Sequence, residues 1–119
     1  MEIGIDCVDI SRFNQNISSK KNILRRIFTE NEIQYCEKKE KTPQHYSARF
    51  AGKEAIVKAF SCYDIRISLN KIEILNNKQG IPFANILENR LSNFDVKISL
   101  SHSRETAVAV AIIFKKNHK

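Results

Sequence analysis

The segment ARFAGKEAIVKA, residues 48–59, is built from small and apolar residues, interrupted by one carboxylate and several cations. Its small residues would let a helix approach its neighbours closely, so this segment predicts the long helix around which the rest of the chain packs. Gly52 lies in the middle of this helix, where glycine costs about 1 kcal/mol relative to alanine. A tight contact at Gly52 is therefore expected.

The charges of this helix have two possible interpretations. Glu54 and Lys58 are four residues apart and project from one helical face, and Arg49 and Lys53 form a second such pair beside them. Such pairs can be salt bridges on an exposed flank, worth a few tenths of a kcal/mol each, and spacing alone favours that interpretation. The alternative is a face that binds a metal ion and an anionic phosphate together.

A carboxylate in a predicted strand supports the second interpretation. Asp6 lies within the apolar segment IGIDCVD, residues 3–9, and burying an unpaired carboxylate costs several kcal/mol. Asp6 at a strand end and Glu54 on a helix would form the oxygen pair that Mg²⁺ uses, with water and substrate oxygens as further ligands. Asp9 is the rival carboxylate, but we favour it as the N-cap of a helix that starts at Ile10.

Working outward from this helix, the patterns predict an α+β fold in one domain, residues 1–119, with one antiparallel sheet packed against the long helix plus short helices. Thr29 and Glu32 are spaced as a capping box, and Thr42 is expected to cap the long helix. The predicted elements are a strand at 2–8, helices at 10–17, 21–27 and 30–38, the long helix from 42 to about 60, strands at 70–75 and 81–84, a short helix at 85–91, and strands at 95–101 and 105–114.

The overall composition is that of a globular protein. The chain has 119 residues, 42% of them hydrophobic and 28% charged, which suits a single core. No stretch reaches membrane-spanning length and no signal peptide is recognisable, so we expect a cytoplasmic protein without a membrane partner. The three cysteines are scattered and odd in number, which predicts reduced thiols.

A net charge of +7 predicts an anionic partner. A basic nucleic-acid-binding module is one candidate, but no RNA-binding aromatic motif, zinc finger or helix-turn-helix accompanies the charge, so we expect no nucleic acid partner. Residues 11–28 mix cations with apolar residues, as a dock for an acidic amphipathic helix would. The same pattern also fits an ordinary amphipathic helix pair whose apolar face belongs to the core.

Three motifs together resemble one family. The segments are GID at 4–6, RFAGKEA at 49–55 followed by Lys58-Ala59, and ISLSHS at 98–103, and they span nearly the whole chain. In kind, order and spacing they are similar to the holo-acyl carrier protein synthases, the short-chain 4′-phosphopantetheinyl transferases. The resemblance implies that a serine of apo acyl carrier protein attacks the β-phosphate of coenzyme A, with release of adenosine 3′,5′-bisphosphate. It further implies a Mg²⁺-dependent transferase of fatty acid biosynthesis.

The resemblance also assigns the catalytic residues. Asp6 and Glu54 are the implied magnesium ligands, and Lys58 is an implied phosphate contact one turn from Glu54. Two routes remain open for removal of the serine proton, to Glu54 itself or to a water held by the metal ion and Glu54. We favour the water, because a carboxylate that ligates magnesium is a poorer base than a free one.

Coenzyme A is expected to contact Arg49, Lys58, Pro82, Ser101 and His102, the last two at its 3′-phosphate. The sequence alone would leave His102 as a hydrogen-bonded structural residue. Residues 80–82 read Gly-Ile-Pro where the family usually has Gly-Lys-Pro or Gly-Arg-Pro, which removes a cation near the nucleotide end of coenzyme A.

Acyl carrier protein is strongly acidic and fits the excess of positive charge. We expect it to bind at Arg12, Lys21 and Arg25. The family's short-chain members are homotrimers, which implies an active site shared between subunits, with His102 from one and Asp6 and Glu54 from the next. A noncatalytic assembly subunit with the same fold is a further alternative.

Overall fold

A computed structural model describes residues 1–18 and 20–116 and confirms the α+β architecture. Its elements, in chain order, are β1 (Glu2–Asp9), α1 (Ile10–Phe13), a π-helical turn (Asn14–Ser18), α2 (Lys21–Ile27), α3 (Glu30–Glu37), α4 (Thr42–Ser61), a 3-10 turn (Leu69–Lys71), β2 (Ile72–Asn76), β3 (Pro82–Ile86), a second 3-10 turn (Asn89–Leu91), β4 (Phe94–His102) and β5 (Thr106–Lys115).

The strands form two antiparallel sheets instead of the one predicted: a three-stranded sheet in the order β1-β5-β4, and the β2–β3 hairpin. Side chains explain why β2 does not join the larger sheet. The Ile74 N–H donates to Glu32 Oε2 at 2.8 Å, and the Ile74 carbonyl accepts from Arg49 Nε at 3.1 Å. Lys53 donates to the Ile72 carbonyl. The backbone groups on this edge of β2 are therefore bonded to helix side chains and not to another strand.

Small residues bring α4 close to the three-stranded sheet. Ala107, Ala109 and Ala111 alternate along β5 on the covered face and are buried. Apolar residues on the opposite face remain open: Ile3 and Ile5 are each 62% exposed, and Val108 is exposed as well. One side of this sheet is thus a packed core, and the other is an uncovered apolar surface.

Two predicted helix starts are confirmed. The Asp9 carboxylate accepts a hydrogen bond from the Arg12 N–H at 3.0 Å, as an N-cap does. Thr29 and Glu32 form the capping box at the start of α3. The cap of α4 was placed one residue too late: it is Lys41, and the Thr42 hydroxyl donates to the Lys39 carbonyl instead.

Two predicted helices are wrong in part or whole. The helix predicted at 85–91 is replaced by the end of β3 and a 3-10 turn. Ile86 pairs with Ile72 and Ala84 pairs with Ile74, so strand pairing outweighs the helical pattern there. The first helix stops being α-helical after Phe13 and continues as a π-helical turn.

Gly4 and Gly52 lie in close contacts of different kinds. A Cβ on Gly4 would be 1.9 Å from the Ala55 carbonyl oxygen of α4, and backbone cannot move aside cheaply. A Cβ on Gly52 would be 2.6 Å from Ile74 Cδ1 and 3.1 Å from Leu100 Cδ2, and both atoms are ends of flexible side chains. Gly4 therefore sets the distance between β1 and α4, whereas Gly52 leaves room for adjustment.

We predict that alanine is far more destabilising at position 4 than at position 52. Gly4→Ala should lower the free energy of unfolding by roughly 3 kcal/mol or more, because β1 must move off α4. Gly52→Ala should change it by less than about 1 kcal/mol, since the higher helix propensity of alanine offsets the side-chain shift. Urea unfolding of both variants at one protein concentration checks this. Equal destabilisation would contradict the assigned contacts.

Candidate active-site cleft

The charged side chains of α4 point to two different places. Glu54 and Lys58 lie towards β1, whereas Arg49 and Lys53 point to β2 and α3. The Lys58 ammonium is 3.0 Å from the Asp6 carboxylate and 3.0 Å from the Ile5 carbonyl. The sequence analysis placed the two pairs side by side, but the fold separates them into a group that faces β1 and a buried group.

Asp6, Glu54 and Lys58 influence one another electrostatically. The Glu54 side chain is half-buried, and burial is the main reason that its pKa is raised. The Asp6 carboxylate raises the Glu54 pKa further, and the Lys58 ammonium acts in the opposite direction. Two carboxylates that repel each other are a site where a cation is stabilised.

Asp6 and Glu54 line an open cleft of about 410 Å³. Its wall mixes the acidic pair with aromatic residues and one cation. The lining residues are Asp6, Cys7, Val8, Asp9, Arg12, Phe13, Asn16, Ile17, Phe50 and Glu54. The cleft therefore has room for a substrate group next to the carboxylates.

The donor set fits a magnesium ion that is only partly held by protein. Asp6 and Glu54 supply the hard carboxylate oxygens that Mg²⁺ prefers, and Mg²⁺ keeps several positions for water and substrate phosphates. Residues 1–18 and 20–116 contain no group of three or more His, Cys, Asp or Glu side chains that could hold a metal ion. Water and substrate oxygens would therefore have to complete the coordination. The Asp9 carboxylate is engaged in its N-cap bond.

The buried group has a structural role. Lys53 Nζ is 2.7 Å from Glu32 Oε1, and both side chains are fully buried. Burial lowers the pKa of Lys53, while the Glu32 carboxylate acts to raise it. Arg49 is 2% exposed, with its guanidinium 4.1 Å from the centre of the Tyr35 ring. The role of Arg49 towards coenzyme A stays a prediction.

The residues expected at the nucleotide end of coenzyme A lie in a second region. The His102 ring, at the end of β4, is 6.3 Å from the His45 ring. Burial first, and then the charges of Arg49 and His102, lower the pKa of His45. Pro82 pairs in register with Asn76, which accepts a hydrogen bond from Arg49.

The register of β4 separates Ser101 from His102. Ser101 pairs with Val108 on the open sheet face, whereas His102 pairs with the buried Ala107 on the face that α4 covers. His45 was missed by the sequence analysis. The available signal was its position four residues before Arg49 on the same helix.

The basic residues predicted to bind a carrier are accessible. Arg12 lines the cleft, and Lys21 and Arg25 are exposed, four residues apart on α2. Leu24 and Ile27 of the same helix are buried in the core. The apolar half of residues 11–28 thus serves the core, and the cations remain available at the surface. No helix in the described part of the chain is long and apolar enough to cross a membrane.

The chain belongs to the 4′-phosphopantetheinyl transferase superfamily, whose family model matches residues 2–112. Among its relatives is the holo-[acyl-carrier-protein] synthase of Cytophaga hutchinsonii, which is 43% identical over 97% of both chains. The enzyme of the same name from Chloroherpeton thalassium is 41% identical over 95% of this chain and 97% of its own.

Solved structures of the same kind share the fold. A holo-(acyl-carrier-protein) synthase from Bacillus anthracis, in complex with CoA (3′,5′-ADP), is 28% identical with a TM-score of 0.80, covering 98% of this chain and 96% of its own. The Helicobacter pylori synthase in complex with coenzyme A is 28% identical with a TM-score of 0.81, covering 94% and 99%. Both proteins match nearly the full length of the described chain.

The two lysines of α4 allow a matched stability test. We predict that Lys53→Met lowers the free energy of unfolding by about 3–5 kcal/mol, because it leaves the Glu32 carboxylate buried without its partner. Lys58→Met should change it by no more than about 1 kcal/mol, since the Lys58 side chain is 54% exposed and Asp6, at 16%, still reaches solvent. Urea unfolding at a fixed protein concentration measures both. A Lys58 variant as unstable as the Lys53 variant would contradict the division into two groups.

Proposed function

We propose that the chain transfers the 4′-phosphopantetheine group of coenzyme A to a serine hydroxyl of apo acyl carrier protein and releases adenosine 3′,5′-bisphosphate. The observation that carries the proposal is an open cleft lined by Asp6 and Glu54, with the Lys58 ammonium paired to Asp6. The relatives named holo-[acyl-carrier-protein] synthase and the related structures with bound coenzyme A support it.

Asp6, Glu54 and Lys58 each have a role in this reaction. Lys58 presents a half-exposed ammonium that can leave Asp6 and bind phosphate oxygens of coenzyme A. Asp6 and Glu54 would hold Mg²⁺, which supplies charge neutralisation at the pyrophosphate when it is bound. Glu54 would accept the serine proton directly or, as we favour, position a water that accepts it, because a carboxylate that ligates magnesium is a poorer base than a free one.

Acyl carrier protein would approach across the Arg12 side of the cleft. Arg12 lies beside the carboxylates, and Lys21 and Arg25 extend the positive surface along α2. An acidic partner would be steered to these cations, and its serine would be brought to the reacting phosphate. The charge of +7 agrees with two anionic substrates.

We infer a homotrimer from the open face of the three-stranded sheet. Ile3, Ile5 and Val108 lie on this face, and contiguous exposed apolar surface of this kind is typical of interfaces. Further copies of the chain are the proposed cover, as in the short-chain synthases that the motifs resemble. His102 of one subunit would then complete the site formed by Asp6 and Glu54 of the next. The cytoplasmic location, the single-domain organisation and the role in fatty acid biosynthesis stay predictions.

Loss of either carboxylate should nearly abolish transfer. We predict that Asp6→Asn and Glu54→Gln each lower kcat/KM by about 100-fold or more, beyond the roughly 10–100-fold that loss of an outer-shell partner of a metal ligand costs. Mass spectrometry of the carrier after incubation with coenzyme A and Mg²⁺ measures the transfer. Circular dichroism should show both variants folded. Asp95→Asn, an exposed carboxylate on β4, is the matched control and should keep full activity. Full activity of a folded Asp6 or Glu54 variant would refute the site.

The shared site can be tested by mixing two inactive proteins. His102→Ala and Glu54→Ala chains, exchanged between oligomers, should regain part of the activity, because some interfaces would combine both intact halves. Light scattering should report a trimer for each variant. A fully active monomer, or no recovery after proven subunit exchange, would contradict the shared site.

A further inference from the structure

Three basic side chains lie around Tyr35 near the start of α4, and His102, next to one of them, extends this cluster to four members. Lys39 Nζ is 4.8 Å and the Arg49 guanidinium 4.1 Å from the centre of the Tyr35 ring. The His45 ring is 5.9 Å from Tyr35 and 6.3 Å from the His102 ring. Tyr35 and the members of the cluster therefore come from α3, the loop after it, α4 and β4.

No carboxylate in the described part of the chain forms an ion pair with this cluster. Arg49 donates to the carbonyl of Ile74 and to the amide oxygen of Asn76, and both acceptors are neutral. The ion pairs found in residues 1–18 and 20–116 join other side chains, and none includes a member of the cluster. Two cations, Lys39 and Arg49, that lack an ion-paired carboxylate among the described residues are suited to an external anion.

We propose that His45, together with His102, binds the 3′-phosphate of coenzyme A, and that a proton taken up by His45 strengthens this binding. The inference rests on the proposed function, in which His102 contacts that phosphate. The new element is His45, which lies outside the motifs that define the family resemblance.

The geometry suits one phosphate between two imidazoles. Hydrogen bonds from ring N–H groups to oxygen are about 2.9 Å long, so rings whose centres are 6.3 Å apart can both donate to oxygens of a single tetrahedral group. The rings are inclined by 64° and can therefore approach that group from different directions. The positive charges of Arg49 and Lys39, which act electrostatically on His45, would stabilise the same phosphate.

The surroundings of His45 make its proton sensitive to the ligand. Burial, then Arg49, Lys39 and His102, lower the pKa of His45 below its usual value of 6.5 in the free protein. His45 is therefore neutral at pH 7. A bound phosphate monoester, with nearly two negative charges, would raise that pKa and draw a proton onto the ring. The part of the affinity that depends on His45 should therefore increase as the pH falls through the bound-state pKa of His45 and level off below its free-state pKa.

Two donors that differ in one group test the proposal. Dephospho-coenzyme A lacks the 3′-phosphate but keeps the pyrophosphate on which the reaction occurs. We expect His45→Phe to raise the KM for coenzyme A on the order of tenfold near pH 6, about the effect of losing one charge-assisted hydrogen bond, and by less near pH 8. The KM for dephospho-coenzyme A should stay within about twofold of wild type at both pH values.

Further variants separate charge from shape. His45→Gln keeps a hydrogen-bond donor but cannot gain a charge, so its KM for coenzyme A should depend less on pH than that of wild type. Lys116→Gln removes a cation at the opposite end of the β4–β5 hairpin from His102 and should leave both KM values unchanged. An equal loss towards both donors, or an unchanged pH dependence in both His45 variants, would overturn the proposal.

Binding measured without turnover distinguishes this proposal from the proposed function. NMR titration of the His45 ring should show its pKa rising when adenosine 3′,5′-bisphosphate is added and remaining unchanged with adenosine 5′-monophosphate. If no carrier is modified but the pKa still rises, the transferase proposal fails and the phosphate site stands. If transfer occurs but the His45 pKa is the same with and without the bisphosphate, the phosphate site fails alone.

Discussion

The buried ion pair between Lys53 and Glu32 is the interaction on which the rest of the structure depends. Lys53 also donates to the carbonyls of Leu69 and Ile72, and the second Glu32 oxygen accepts from the Ile74 N–H. Two fully buried charges thus connect α3, α4 and β2 through backbone groups. A buried pair of this kind costs much desolvation and is stable only when its remaining donors and acceptors are also bonded. Here β2, the 3-10 turn before it and the Thr29 N–H at the start of α3 supply these partners.

This constraint fixes the rotation of α4 and thereby the composition of the cleft. Successive residues of an α-helix are turned by about 100° about its axis. When Lys53 is buried against β2, Glu54 and Lys58 therefore face β1. Gly4 permits β1 to lie against the helix at that point. Asp6 follows two residues later on the same strand face and is brought to the Lys58 ammonium. The position of the acidic pair is therefore a consequence of core packing as much as of the acidic residues themselves.

Much of this could be predicted from sequence, and the failures have physical causes. The capping residues Asp9 and Thr29 act through neighbours three positions away, so local pattern was sufficient. The motifs identified Asp6, Glu54 and Lys58, which the fold does bring together. Lys53 was placed beside Glu54 because helical spacing gives angles but does not say which face meets the core. His45 was missed because its neighbour His102 is 57 residues later in the chain, and only the β4–α4 packing joins them.

The side chains bonded to the edge of β2 that pairs with no strand also protect the protein against aggregation. An unpaired strand edge is a template on which another chain can add a strand. In this protein, Arg49, Lys53 and Glu32 cover that edge with charged groups that an incoming strand would have to displace and leave buried without partners. The same three side chains that hold the hairpin in place therefore protect it against edge-to-edge aggregation, even though they are hidden from solvent.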